Sequence, residues 1–288
     1  MFRYSYFDFV LESNVELTNF NKLSDNACVK QDKIYINYIC GTPKSYKKNS
    51  VDAYISYEDV IFHIPNNQYV INIISESKLN FQEVLRNKPF GVLCYLLNRT
   101  VLHASSIEHR GEIYAFCGPK GMGKTTLSFL LSKKYRLFSD DQLCIRNQAD
   151  DLFLCYSPDN IQKLTSTSLK LFGLPEKCDS LHPVYNKYMY YSPNISSKNG
   201  CPLKAIFILR REEHNLPIYI EKINNHSHKI AQILNNTLGK EQLLRMGYAT
   251  SDIVKKLAKI DMYYLHYSNF SCDIDKHLIE LEKAVTLV

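Results

Sequence analysis

EIYAFCGPKGMGKTTLSFLLSKKYRLFSDD, residues Glu112–Asp141, decides the fold class. Its first six residues, Glu112–Cys117, are mostly apolar and short enough for a buried strand. A glycine loop, Gly118–Gly123, follows. Lys124–Ser132 then places Leu127, Leu130 and Leu131 at helical spacing, which predicts an amphipathic helix. Arg136–Ser139 reads as a second strand that ends on Asp140 and Asp141. A strand, a glycine loop, a helix and a strand in that order define an α/β core.

The loop meets the pattern GxxxxGK[ST] at Gly118, Gly123, Lys124 and Thr125. Its chemistry explains the residue types. Backbone N–H groups converge on phosphate oxygens only if the chain approaches closely and bends sharply, which glycine allows. The helix that follows aims its first amides at the same anion. Lys124 reaches the β- and γ-phosphates, and the Thr125 hydroxyl ligates Mg²⁺. The nucleotide site expected from this stretch is Gly118, Pro119, Lys120, Gly121, Met122, Gly123, Lys124, Thr125 and Thr126. No NKxD-like guanine motif is present, since Asn147–Asp150 reads NQAD, and this favours ATP over GTP.

Asp140 and Asp141 supply the next requirement of phosphoryl transfer. Such a site needs an acidic group near Mg²⁺ and a group that orients the acceptor hydroxyl and takes its proton. A bend at the strand end would let both carboxylates face the phosphates; the alternative, an exposed turn, explains one Asp easily and two less well. His103, in LHASSIEHRG just before the core strand, is either a structural hydrogen-bonding residue or a catalytic one. Arg210 and Arg211 follow the apolar run Leu203–Leu209, either as clamps for a peptide or phosphoryl group or as a solvated strand end. Lys187, between aromatic residues, has the same two readings. His226 and His228 lack a third ligand nearby and read as surface residues.

Around this core, residues 2–10 read as one extended strand. Short strands are expected at 33–39, 51–56, 59–64 and 68–74, separated by Pro, Asn, Asp and Ser. Residues 81–97 turn helical, with Pro89 as a break or a first-turn residue. Domains are therefore expected at 1–98, a β-rich module suited to peptide or substrate recognition, and at 99–288. In the second domain, 143–146 and 152–156 read as a hairpin. A helix is expected over 160–171, capped by Asp159 or Asn160. Strands are expected at 203–209 and 217–221, and helices at 228–238, at 240–260 with an interruption near Gly247, and at 275–285.

Composition narrows the function classes. Hydrophobic residues make up 45% and charged residues 22%, which is globular composition and not that of a disordered chain. The net charge of +6 is spread along the sequence, and its densest cluster, Lys44, Lys47 and Lys48, reads as a loop. Without a basic stripe, nucleic acid is not expected as a partner. Nine cysteines, an odd count with no CxxC pair, fit poorly with a disulfide framework. No secretory leader and no run of apolar residues long enough to span a membrane is found, so a cytoplasmic protein is expected.

LHASSIEHRGEIYAFCGPKGMGKTTLSFLLSKKYRLFSDD resembles the core of the HPr kinase/phosphorylase-like superfamily. The shared pattern is a His-containing strand, a Walker A loop, a helix and an Asp-Asp strand end a short way beyond. PLKAIFILRREEHNLPIYIEKI resembles the region that follows in small stand-alone kinases related to HPr kinase, among them lasso-peptide precursor kinases. The resemblance covers about Asn98–Leu238. It implies a P-loop core of HPr-kinase type and an ATP-dependent kinase acting on a serine hydroxyl of a peptide. It also implies that His103 assists catalysis, that Asp140 is the base, and that Asp141 lies on the Mg²⁺ side. The glycine-rich stretch that bacterial HPr kinases carry after the aspartates is missing. That departure argues against reversible phosphorylase activity. Two other functions remain open: a kinase of free serine or a similar small hydroxyl metabolite, and an ATP-binding regulatory module. The oligomeric state is open too, a homo-oligomer included.

Overall fold

The computed structural model describes residues 1–18, 20–24, 31–43, 49, 52–66, 68–76, 81–149, 151–158, 161–175, 181–182, 186–196, 200–213, 217–245, 251–268 and 274–286. The lysine cluster 44–48, the capping candidates 159 and 160, the 240–260 interruption near 247, and Cys28, Cys178 and Cys272 lie outside the described residues. The chain divides into two compact units. The first holds Met1–Val101, Cys144–Asn147 and Thr237–Lys255; the second holds Leu102–Leu143, Gln148–Asn236 and Lys256–Val288.

The first unit is built on a mixed sheet of seven strands: β1 (Phe2–Tyr6), β2 (Phe9–Ser13), β3 (Asn21–Lys22), β4 (Asp32–Cys40), β5 (Ala53–Tyr57), β6 (Val60–Ile64) and β7 (Val70–Ser75). Their order is β3-β1-β2-β4-β7-β6-β5. The single strand expected over 2–10 is instead a hairpin. Its turn is made by Phe7, which adopts a left-handed φ of 54°, and Asp8. Alternation along the strands puts Tyr4, Tyr6, Leu11, Ile34, Ile36, Phe62, Ile71 and Ile73 in the core. Two helices, α1 (Gln82–Leu85) and α2 (Lys88–Leu96), follow, with Pro89 in the first turn of α2, where no N–H is needed. Phe90 of α2 packs on Tyr6 with ring centroids 4.7 Å apart.

Strand β8 (Arg99–Leu102) leads into the second unit, whose centre is β9 (Ala104–His109), β10 (Glu112–Cys117), α3 (Lys124–Leu131) and β11 (Arg136–Ser139). Further along the second unit are β13 (Phe153–Tyr156), β14 (Ile161–Leu164), α4 (Ser166–Leu171), β15 (Leu181–His182), β16 (Lys187–Tyr191), β17 (Cys201–Arg211), β18 (Tyr219–Lys222), α5 (His226–Asn236), β19 (Asp261–Tyr267) and α8 (Ile274–Thr286). Most of β12 (Leu143–Asn147), α6 (Lys240–Arg245) and most of α7 (Asp252–Leu257) belong to the first unit. The helix expected over 160–171 is in fact a strand and then a short helix. Thr165 separates them: its hydroxyl accepts the Ser168 N–H at 3.1 Å and caps α4.

Strand β10 runs parallel to β17, and β17 parallel to β19, so their C-terminal ends share one edge. On the other side of β10, β9 is antiparallel and links β10 to β11. Leu127, Leu130 and Leu131 of α3 are fully buried in a core with Phe116, Phe207, Leu265, Leu278 and Leu281. Each such leucine contributes about 1.5–3 kcal/mol, which fixes α3, and with it the loop at its start, against the sheet. A separate three-stranded sheet, ordered β14-β16-β15, supplies a further wall.

Candidate functional site

The loop Gly118–Gly123 joins the end of β10 to the start of α3. Gly123 occupies the N-cap with φ 80°, ψ 20°, a left-handed conformation that any side chain would strain, so the sequence needs glycine there. The Lys124 ammonium is buried and folds back over the loop, donating to the carbonyls of Gly118 at 2.8 Å and Pro119 at 3.3 Å. Burial lowers its pKa overall, helped by the Lys187 charge and opposed by Cys117, Asp141 and Asp140. The ammonium is thus centred over the loop.

The end of β11 delivers the two aspartates differently. Asp141 has φ 67°, an uncommon conformation that Asp tolerates better than most residues. The turn sends Asp140 into the protein, where it is 4% exposed. Asp140 Oδ1 accepts from Ser105 Oγ at 2.7 Å and from Thr125 Oγ1 at 2.9 Å. Its Oδ2 accepts the Lys163 N–H at 3.1 Å. Burial, reinforced by the neighbouring Asp141 charge, pushes its pKa up to about 6 against those three hydrogen bonds.

Asp141 stays one-third exposed. Its Oδ1 lies 3.9 Å from His103 Nε2 and its Oδ2 lies 3.7 Å from Lys163 Nζ. His103 sits between β8 and β9, its N–H donating to the Asn236 carbonyl at 2.7 Å. Loss of solvent and then the Lys124 charge lower its pKa, with Asp141 acting the other way. The strand register adds a second lysine. Lys163 pairs with Met189, and Lys187 lies two residues before Met189, so both lysines share one face of the three-stranded sheet.

Lys124, Thr125, Asp140, Asp141 and His103 are therefore gathered at one place. Thr126 lies beside them, its hydroxyl 3.3 Å from that of Ser168. Arg210 and Arg211 make contacts with other groups. The Arg210 guanidinium stacks on Tyr264, 4.5 Å from the ring centroid, and Arg211 Nη2 donates to the Gly121 carbonyl at 2.8 Å. Sequence reasoning did not single out Ser105 or Lys163. Ser105 stands two residues after His103 and could have been flagged on that ground; Lys163 carried no signal, because its segment read as a helix.

A hydroxyl and a carboxylate oxygen 2.9 Å apart are hard donors of the kind Mg²⁺ takes, and Mg²⁺ needs only one or two carboxylates when phosphate oxygens complete its shell. The donor set fits that ion. Among the described residues no group of three or more His, Cys, Asp or Glu side chains could hold a metal ion by itself. No helix among the described residues is long and apolar enough to cross a membrane.

No protein-family model matches the chain, and no curated protein matches it. Among solved structures, it is similar to the Hpr(Ser) kinase/phosphatase from Coxiella burnetii, with 13% sequence identity and a TM-score of 0.33 over 65% of this chain and 96% of that one. A likeness at that level carries no residue role across.

Proposed function

We propose that this chain is an ATP- and Mg²⁺-dependent kinase that transfers the γ-phosphoryl group to a serine hydroxyl of a peptide. The observation that carries the reading is the Lys124–Thr125–Asp140 constellation at the junction of a glycine loop and a helix start. The peptide acceptor, a ribosomal precursor of lasso type, rests on the sequence resemblance alone.

Thr125 and Asp140 would hold Mg²⁺, which would supply positive charge to neutralise the phosphates. Lys124 would leave the loop carbonyls for the phosphates. Asp141, the more accessible carboxylate, would orient the acceptor hydroxyl. The serine oxygen attacks the γ-phosphorus as its bond to the β,γ-bridging oxygen breaks; the hydroxyl proton passes to Asp141, and ADP departs. His103 beside Asp141 would help to hold it in place. This division of labour reverses the one that the resemblance implies, because Asp140 is enclosed by three donors while Asp141 is open to an acceptor. Fixed charges of this kind account for most of the rate in such sites.

One observation favours a second acceptor class, free serine or a similar small hydroxyl acid. Lys163 and Lys187, on one sheet face, would offer two cations to a carboxylate beside the hydroxyl. Transfer from labelled ATP to serine-containing peptides and to free serine separates the two. Parent protein should form a phosphorylated product, and Lys124→Ala should form none. Turnover in that variant equal to the parent's would sink the reading, and nucleotide binding with no product from any acceptor would point to a regulatory module.

A further inference from the structure

Strands β17 and β19 end side by side, and the last rung of their parallel ladder pairs Arg211 with Tyr267. Both side chains reach the crest of the glycine loop. Arg211 Nη2 donates to the Gly121 carbonyl at 2.8 Å, and the Tyr267 hydroxyl donates to the Met122 carbonyl, the next one along the chain. The Glu212 N–H extends the rung by donating to the Tyr267 carbonyl at 2.9 Å.

The loop needs such support. Gly121 and Gly123 have φ of 87° and 80°, and glycines lose much conformational freedom when held. Within the loop, the backbone supplies a long bond from the Met122 N–H to the Pro119 carbonyl at 3.3 Å. A trans peptide is planar, so a carbonyl and the N–H that follows it point to opposite sides. Fixing the Gly121 carbonyl outward therefore turns the Met122 N–H toward Pro119. Fixing the Met122 carbonyl outward turns the Gly123 N–H to the other side, where the first amides of α3 also gather.

From this geometry we infer that Arg211 and Tyr267 are positioning residues for the nucleotide, acting through the loop carbonyls they hold; the inference rests on the nucleotide-binding reading above. Tyr267 suits the task because it is 1% exposed and anchored in the core under the sheet. Burial raises the pKa of its hydroxyl, so it remains a donor, while the Arg211 charge beside it works the other way. Arg211 is exposed, so its removal leaves no cavity in the core. Its planar fork suits a directed bond to one carbonyl, and a lysine ammonium in its place could still reach that oxygen less rigidly. The role differs from that of a clamp on the acceptor: it predicts effects on nucleotide and none on acceptor binding.

The test uses the full chain with Arg211→Ala, Arg211→Lys, Tyr267→Phe and the Arg211→Ala/Tyr267→Phe double variant. ATP·Mg²⁺ affinity is measured by calorimetry, KM for ATP and for the acceptor by kinetics, and thermal unfolding without nucleotide. Each single removal should weaken ATP·Mg²⁺ binding about tenfold, the effect of one lost hydrogen bond to a fixed carbonyl. The acceptor KM should stay at the parent's value, the nucleotide-free melting temperature of Arg211→Ala should stay at the parent's because Arg211 is exposed, and Arg211→Lys should recover most of the affinity. The double variant should lose less than the two singles combined, because one loop conformation depends on both. The inference is overturned if parent protein binds ATP·Mg²⁺ and both single variants bind it within roughly twofold, or if the acceptor KM moves instead. Should Tyr267→Phe fail to fold, Arg211→Ala and Arg211→Lys decide the matter. Failure of the parent to bind ATP·Mg²⁺ removes the functional reading and this inference with it.

Discussion

Replacing Asp140 with asparagine keeps the volume of the side chain, removes its charge and turns one acceptor oxygen into a donor. Asp140 Oδ1 accepts from Ser105 and Thr125, and an asparagine oxygen can serve both. The amide NH₂ then meets the Lys163 N–H, which Oδ2 accepts at 3.1 Å in the parent. That leaves donor against donor in a buried place, at a cost of about 1–3 kcal/mol. The proposed Mg²⁺ site would lose its charged ligand as well. Asp140→Asn should therefore raise the half-saturating Mg²⁺ concentration by about tenfold or more, equivalent to about 1.4 kcal/mol. Asp141→Asn is a different perturbation. Its carboxylate, one-third exposed, touches only His103 and Lys163 among the described ion pairs, at 3.9 and 3.7 Å. That variant should keep the Mg²⁺ requirement within about threefold of the parent and lower kcat by about 10²–10⁴, the usual loss when a positioned base is removed. The assay is phosphate transfer at saturating ATP, titrated with Mg²⁺, for both variants side by side, since adjacent carboxylates influence each other. A Mg²⁺ defect in Asp141→Asn with a pure kcat defect in Asp140→Asn would reverse the assignment. Full transfer activity in both would refute the mechanism.

Two further predictions concern the first unit. Gly91 lies inside α2, where alanine would ordinarily stabilise the helix, but an added Cβ would stand 2.6 Å from the Leu238 carbonyl oxygen. Gly91→Ala should therefore lower stability by about 1–3 kcal/mol in a urea titration, and a gain would show that the helix can shift away at little cost. Asp52 is held by the Asn66 N–H at 2.9 Å and by His63 Nε2 and Asn49 Nδ2, both at 2.8 Å. Burial pushes its pKa up, but these partners outweigh it and bring the value below the ordinary 3.8. A depressed folded-state pKa contributes stability that is fully present above the unfolded value and is lost as pH falls through the folded one. Asp52→Asn should accordingly be less stable than the parent at pH 6, with the gap closing below about pH 4; a gap that widens in acid would contradict this.

The core of the site was legible in one contiguous stretch because its physics is local. Glycine at the loop, leucines at helical spacing in α3 and the strand before them all act within a few residues, and they set β10, the loop and α3 in order. Apolar and polar alternation likewise marked most strands of the first unit. Tertiary structure decided what surrounds the loop. Ser105 and Lys163 reach Asp140 across 35 and 23 residues of sequence, Arg211 reaches Gly121 across 90, and Tyr267 reaches Met122 across 145. No periodicity encodes such pairings. Strand β19, DMYYLHY, was missed for a related reason: its polar positions gave no clear pattern, and it forms by adding to the edge offered by β17. Segment 160–171 misled because its spacing admits a helix, whereas pairing of Ile161–Leu164 with β16 satisfies the backbone as a strand and leaves only the part after Thr165 to coil. That choice, made by a partner strand and not by local propensity, is what brings Lys163 to both aspartates.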